Sequence, residues 1–265
     1  MIVLFTDFGL YGPYTGQVKA VLHQMAPGVP AIDLFADAPV ANPKASAYLL
    51  AAYAAWFPAG TIFLCVVDPG VGSERRAVAI RTATGRMYVG PDNGLLTIAA
   101  DADGIEGVRS LTNPHYHLDD VSRTFHARDL FSPVAAHLAA GASFGDLGDE
   151  VDPVTLVRID LPAASIADGE LRATVLEIDR FGNLGLNVST AEIDDLGVDP
   201  GDTVELSFAL TPYFAVVGRT YVDAARGELI LYEDSYGAWS IAINGGNAAA
   251  LTEAGVGDEV RVRPA

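Results

Sequence analysis

The sequence predicts an α/β domain with a mainly parallel, helix-covered sheet, followed by a smaller antiparallel β-barrel. Three observations carry that prediction. Short, wholly apolar runs alternate with helical patterns across residues 1–157, as in a parallel sheet buried on both faces. Across residues 171–265 helical patterns give way to alternation of apolar and polar residues, the mark of strands with one buried face. Between them, residues 158–170, with Leu161-Pro162, read as a linker.

Taken in order, residues 2–6 (Ile-Val-Leu-Phe-Thr) form a buried strand that ends in Asp7-Phe8-Gly9. A helix over 14–25 repeats Val18, Val21, Leu22 and Met25 at helical spacing, and Pro27-Gly28 ends it. Residues 31–35 give a second strand. Pro43 opens an alanine-rich helix to residue 57, which Pro58 and Gly60 stop. The strand over 61–67 delivers Asp68. Strands over 77–81 and 86–89 follow, then the turn Pro91-Asp92-Asn93-Gly94, a short helix over 95–99 and a strand over 105–111. A polar loop, 112–123, leads to Phe125-His126 and a helix over 129–140. In the second domain Val204, Leu206 and Phe208 alternate with polar residues, as do Trp239, Ile241 and Ile243, and then Val260 and Val262.

Composition narrows the function. The chain has 265 residues, half of them hydrophobic, enough for a sizeable core. No apolar run reaches the roughly 18 residues of a membrane span. The opening residues lack the basic start of a signal peptide, so a cytoplasmic protein is expected. A formal net charge of −18 argues against nucleic acid and anionic membranes, which need lysine and arginine against phosphate. It is compatible with a cationic small ligand, but a solvated acidic surface is the commoner cause of such a charge. The single cysteine, Cys65, excludes an internal disulfide or a cysteine zinc site and reads as a buried thiol.

The candidate site centres on Cys65-Val66-Val67-Asp68-Pro69-Gly70-Val71-Gly72-Ser73-Glu74-Arg75-Arg76. A carboxylate at a strand tip, followed by a glycine turn and an arginine, builds a polar centre on a rigid base. The turn is no dinucleotide fingerprint, since Arg75 stands at the third glycine position. It is no P-loop either, since Gly-Lys-Ser/Thr is missing. Asp7-Phe8-Gly9 has nothing upstream to make it a kinase motif. Asp7 suits two hydroxyls of a vicinal diol, or a turn. His126, ahead of a helix, reads as a neutral imidazole able to orient water, or as a capping residue. His115 and His117 lack a third ligand nearby, so no metal is expected. His23 and His137 read as structural. Asp179-Arg180-Phe181-Gly182-Asn183 offers a carboxylate, an aromatic and an amide, or an ordinary hairpin. Tyr221, Ser235 and the segment around Ala248 add aromatic and hydrogen-bonding loops.

Together these motifs resemble one family, the S-adenosylmethionine hydrolases (hydroxide adenosyltransferases), relatives of the fluorinase and chlorinase enzymes. The resemblance rests on Thr6-Asp7-Phe8-Gly9, Val67 to Gly72 with Arg75-Arg76, Gly90 to Leu96, Phe125-His126 with Arg128-Asp129, and Asp179 to Asn183. It implies hydrolysis of S-adenosylmethionine to adenosine and methionine, without cofactor. It also implies a homotrimer whose substrate lies between the first domain of one subunit and the second of its neighbour. By motif, Asp68, Arg75 and His126 match the water-activating triad, and Asp7 matches the ribose-diol ligand, with Phe8 beside it. Phe181 and Tyr221 match the aromatics around adenine, with Asn183 and a backbone group near Ala248 at its edge. Asp179 and Ser235 match ligands of the methionine amine and carboxylate. The alternatives are a halide-dependent synthase of 5′-halo-5′-deoxyadenosine, or a binder of adenosine or S-adenosylmethionine without turnover. The complete triad favours water over halide.

Overall fold

The computed structural model describes residues 1–209 and 211–265. The chain forms two compact units, Met1–Ile159 and Asp160–Ala265.

The first unit is built on a seven-stranded sheet. Its strands are β1 (Ile2–Thr6), β2 (Ala31–Phe35), β3 (Ile62–Val66), β4 (Ala77–Thr82), β5 (Met87–Pro91), β6 (Ile105–Ser110) and β7 (Glu150–Val151). They lie in the order β2-β1-β3-β5-β4-β6-β7. The half that carries β2, β1, β3 and β5 is parallel, as expected. β4 runs antiparallel to both its neighbours, because the short hairpin into β5 leaves no room for a crossover. Alternate residues of each central strand feed opposite cores. Ile2, Leu4, Ile62, Leu64 and Val66 pack against α1 (Tyr14–Met25) and α4 (Ser132–Ala139). Val3, Phe5, Phe63, Cys65 and Val67 pack against α2 (Pro43–Ala54) and α3 (Thr97–Ala102). α2 stops three residues before the expected end, where Trp56 turns out to solvent. Cys65 is wholly buried, and burial pushes its thiol pKa up, so it is inert.

The helix expected from residue 129 begins differently. Ala127–Phe131 is a wide π-type turn that runs on into α4. Pro133 explains it. Proline has no N–H to donate and its ring crowds the carbonyl a turn back, so a normal helical bond there is lost. The Asp129 carbonyl accepts instead from the Leu118 N–H at 2.9 Å, and Ser132 Oγ donates to the Ala127 carbonyl at 2.5 Å.

The second unit is a closed barrel. Its ring is β10 (Leu184–Leu186), β14 (Trp239–Ile243), β13 (Leu229–Glu233), β12 (Thr211–Gly218), β11 (Thr203–Phe208), β15 (Glu259–Pro264) and β9 (Glu170–Ile178), and pairing of β9 with β10 closes it. β8 (Ser165–Ala167) adds to β9 outside the ring, so part of the expected linker is strand. The ring is antiparallel apart from one pair: β12 and β13 are parallel. The segment over 219–228 crosses over between them instead of making a hairpin. The alternating residues seen in sequence, Val204, Leu206, Phe208, Ile241, Val260 and Val262, line the barrel core. Two short helices, α5 (Thr190–Leu196) and α6 (Ala248–Thr252), accompany the ring. Among the described residues no helix is long and apolar enough to cross a membrane.

Candidate active site

β1 and β3 lie side by side in parallel register, with Thr6 opposite Val66. Asp7 and Asp68 therefore leave the sheet at the same carboxyl edge, where open α/β sheets bind ligands. After Asp68 the chain turns twice. The Val71 N–H donates to the Asp68 carbonyl at 3.2 Å, and the Ser73 N–H to the Gly70 carbonyl at 3.1 Å. Gly72 has φ +79°, and a Cβ there would sit 2.6 Å from the Arg123 carbonyl oxygen, so both the turn and the close approach demand glycine. The double turn returns Arg75 to Asp68.

Arg75 is the hub. Its Nε donates to both oxygens of Asp68 at 3.0 Å, and its Nη2 donates to Asp68 Oδ2 at 2.5 Å. The same Nη2 lies 2.9 Å from His126 Nδ1, and the guanidinium sits 5.3 Å from the centre of the Phe131 ring. The Arg75 and Asp68 side chains are only 10% and 4% exposed. A guanidinium can only donate, so His126 Nδ1 is the acceptor and the neutral ring carries its proton on Nε2. Burial lowers the His126 pKa below its ordinary 6.5, and Arg75 lowers it further, against Asp68 and Asp129, which raise it. The neutral state expected from sequence thus has burial and Arg75 as its causes. Asp129 sits behind. Burial pushes its carboxyl up, but Arg128 at 2.5 Å and the Ser122 N–H at 2.9 Å outweigh burial and hold it below the usual range. Arg128 lies over Phe125 at 5.0 Å and reaches Gln17 at 2.8 Å, which fixes the segment on which His126 stands.

Asp68 and His126 line a pocket that opens to solvent, together with Asp7, Phe8, Phe125, Val66 and Ala41. Asp7 Oδ2 accepts from the Ala41 N–H at 2.9 Å, which leaves Oδ1 for a ligand. Ala41 takes φ +52°, a left-handed conformation that costs a non-glycine residue roughly 1–2 kcal/mol. Phe8 packs edge-on to Phe125 at 5.9 Å and the two rings line the pocket, with Tyr14 meeting Phe125 at 5.2 Å. Ala41 and Thr124 were not picked out from sequence, and Phe125 was named only within its motif and given no role. Phe125 had a signal, its place beside His126. Ala41 had none, because no turn glycine marks its loop.

In the second unit the residues singled out from sequence lie in four segments: the hairpin between β9 and β10, the turn at Tyr221–Asp223, the turn between β13 and β14, and the start of α6. Asp179 organises the hairpin between β9 and β10: Oδ1 accepts from the N–H groups of Phe181 and Asn183 at 2.8 and 2.9 Å, and Oδ2 from Asn183 Nδ2 at 2.8 Å. Phe181 is left 67% exposed at the hairpin tip. The Gly182 carbonyl accepts from the Ala249 N–H at 2.9 Å, which brings this tip to the start of α6, where Ala248 is buried. Tyr221 is hydrogen-bonded to Tyr232 through their hydroxyls at 2.9 Å. Burial, Tyr221 and the carboxylates of Asp234 and Asp179 all push the Tyr232 hydroxyl pKa up. Ser235 is exposed in the turn that Asp234 caps through the Tyr236 N–H at 2.8 Å. Tyr232 was not picked out in sequence, because it looks like one more residue of an apolar strand.

His115 stacks edge-on to Tyr116 at 5.2 Å, and its ring lies 6.2 Å from that of His137. Among the described residues no group of three or more His, Cys, Asp or Glu is placed to hold a metal.

Comparison with known proteins agrees over both units. The family model for the SAM hydroxide adenosyltransferase N-terminal domain matches residues 2–148, and the model for the C-terminal domain of the same family matches residues 173–261. A relative from Salinispora arenicola, named (R)-S-adenosyl-L-methionine hydrolase, is 40% identical over 97% of this chain and 95% of its own length. A fluorinase from Nocardia brasiliensis is 24% identical over 99% of this chain and 96% of its own. The crystal structure of an uncharacterized conserved protein from Thermotoga maritima superposes with a TM-score of 0.95 at 32% identity, covering 99% of this chain and all of that one.

Proposed function

The chain belongs to the SAM hydroxide adenosyltransferase family, and from that premise we propose how its own residues hydrolyse S-adenosyl-L-methionine to adenosine and methionine. The observation that carries the reading is the Arg75 hub, which joins Asp68 and His126 at one wall of an open pocket.

The substrate's sulfonium makes methionine a neutral leaving group, so no general acid is needed. The site has to hold a water in line with the C5′–S bond and relieve it of a proton. Asp68 is the acceptor: its carboxylate can take one more hydrogen bond beyond those from Arg75. His126 Nδ1 is already occupied by Arg75, so His126 serves through Nε2–H as a donor that orients the water oxygen. The water oxygen bonds to C5′, and the C5′–S pair leaves on sulfur. The released proton passes to Asp68 and then to solvent. Arg75 holds the Asp68 carboxylate in place and offsets the negative charge that builds on oxygen. Base assistance of this kind is worth about 10²–10⁴ in rate. A net charge of −18 suits a cationic substrate.

Asp7 holds the ribose hydroxyls, with Phe8 beside it. Phe181, Tyr221, Asn183 and Ala248 surround adenine, and Asp179 and Ser235 take the methionine end. These second-unit groups come from a neighbouring copy in a homotrimer. The exposure of Tyr11 (92%), Phe181 (67%) and Tyr221 (44%) supports burial of these rings against another copy. The relatives' names specify the (R) sulfonium, and this chain takes the same epimer.

The test is to incubate the pure protein with the mixed sulfonium epimers and follow both epimers and adenosine by chromatography. Adenosine forms, the (R) epimer disappears first, and Asp68→Ala abolishes turnover. A halogenated nucleoside in chloride, or substrate that stays bound and unchanged, contradicts the reading. Sedimentation that shows a monomer contradicts the trimer.

A further inference from the structure

The turn Gly90-Pro91-Asp92-Asn93-Gly94 takes no part in the chemistry just described, yet it touches both ends of the loop that does. The ladder between β3 and β5 ends at Leu64 opposite Val89. Just beyond, Gly90 lies so close to β3 that a Cβ would sit 2.2 Å from the Cys65 carbonyl oxygen. With no further strand pairing, the Val67 carbonyl receives its hydrogen bond from a side chain: Asn93 Nδ2 donates to it at 2.9 Å. Val67 is the residue before Asp68.

The adjacent residue holds the other end. Arg76 follows Arg75, and its Nε donates to Asp92 Oδ2 at 2.8 Å, while the Asp92 N–H donates to the Arg76 carbonyl at 2.9 Å. Asp92 is anchored in turn, since its Oδ1 accepts from the Val157 N–H at 2.9 Å and its side chain is only 3% exposed. Arg76 extends the brace to the Thr155 hydroxyl and carbonyl at 3.0 and 2.5 Å. Consecutive residues of one turn thus grip the residue before Asp68 and the residue after Arg75.

We propose that Asp92 and Asn93 are positioning residues that fix the separation of Asp68 and Arg75, and so the orientation of the attacking water. The proposal rests on the reading of Asp68, Arg75 and His126 as the reacting set. Its physical basis is geometric. The forked contact between Arg75 and Asp68 has bonds of 2.5–3.0 Å, and a loop with only one end held can slide out of that register. A misplacement of about 1 Å can cost roughly 10²-fold in rate.

Asn93→Asp is the sharpest variant. Its carboxylate can still accept from the Leu95 N–H, as Asn93 Oδ1 does at 3.2 Å, but it has nothing to donate to Val67. Asn93→Ser is the second variant, able to cap Leu95 and too short to reach Val67. Each is assayed for kcat and KM with S-adenosylmethionine. The Arg75 Nε–H resonance is followed by nitrogen-15 NMR, assigned with Arg75→Lys. The expected result is a fall in kcat of about 10–100-fold with KM within about threefold. The Arg75 Nε–H also loses its protection from exchange, whereas that of Arg86, held by the Phe57 carbonyl at 2.9 Å, keeps it. Wild-type kcat, or an unchanged Arg75 resonance in either folded variant, overturns the proposal. Failure of the underlying reading is distinct: Asp68→Ala then turns over substrate at the wild-type rate, whatever the Asn93 variants do.

Discussion

Arg75→Met strips Asp68 of every guanidinium hydrogen bond while nearly preserving side-chain volume. The Asp68 side chain is 4% exposed and meets Arg75 through contacts of 2.5, 3.0 and 3.0 Å. Removing one partner of a buried ion pair costs about 3–5 kcal/mol, because the other charge is left without compensation. Asp68 lines a pocket that is open to solvent, so the lower end, about 3 kcal/mol, applies here. In a unit of this size each kcal/mol lowers Tm by roughly 2–4 °C, which gives a fall of roughly 6–12 °C. The charge argument makes a further demand. Asp68→Asn in the Arg75→Met background removes the uncompensated charge, so the double variant must be more stable than Arg75→Met alone. Lost contact with Phe131, worth about 2 kcal/mol for a desolvated pair, would give no such rescue. The assay is unfolding followed by near-ultraviolet circular dichroism. Wild type, Arg75→Met, Asp68→Asn and the double variant are kept at one concentration, because association makes Tm concentration-dependent. Additive effects, within about 0.5 kcal/mol, would refute the reasoning.

Other outcomes follow from the same geometry. Turnover should hold at neutral pH and fall on the acid side with a midpoint below 6.5, since protonated Nδ1 can no longer accept from Arg75; a midpoint above 6.5 in the pH–kcat profile contradicts this. Without Arg75 one cause of the lowered His126 pKa is gone, so in Arg75→Met an imidazole titration by NMR should move up. Gly72→Ala should cost at least the roughly 1–2 kcal/mol of left-handed strain. It should also cut kcat, because the new methyl drives into the Arg123 carbonyl, close in sequence to His126; a wild-type Tm and kcat count against that packing. Phe181→Ala should raise KM about tenfold with little change in kcat, as loss of one base-stacking ring costs about 1–3 kcal/mol; unchanged KM removes Phe181 from the adenine site.

Much of this was legible in the residues, for reasons that can be named. The buried strands announced themselves as short apolar runs, and the barrel as alternation along 203–208, 239–243 and 260–263. The pairing of Asp68 with Arg75 was foreshadowed because glycines between a strand-tip carboxylate and an arginine allow a tight return. His126 is a different case. It lies 51 residues beyond Arg75, and only the family resemblance tied the two together. The parallel pairing of β12 with β13 has no local signature, because strand direction is set by where the 219–228 segment crosses. The π-type turn before α4 follows from Pro133, a residue that usually reads as harmless near a helix start. The Asp179 loop shows that two readings of one motif need not compete: it is a side-chain-stapled hairpin, and that staple holds Phe181 out at its tip.

The central claim, that water is delivered to the ribose C5′ by the Asp68, Arg75 and His126 set, meets its most direct test in oxygen-18 water. The protein and its Asp68→Asn variant are incubated with S-adenosylmethionine and the products are weighed by mass spectrometry. The account predicts one heavy oxygen in adenosine, none in methionine, and no labelled adenosine from the variant. Labelled homoserine with methylthioadenosine, or labelled adenosine formed equally well without the Asp68 carboxylate, would contradict it.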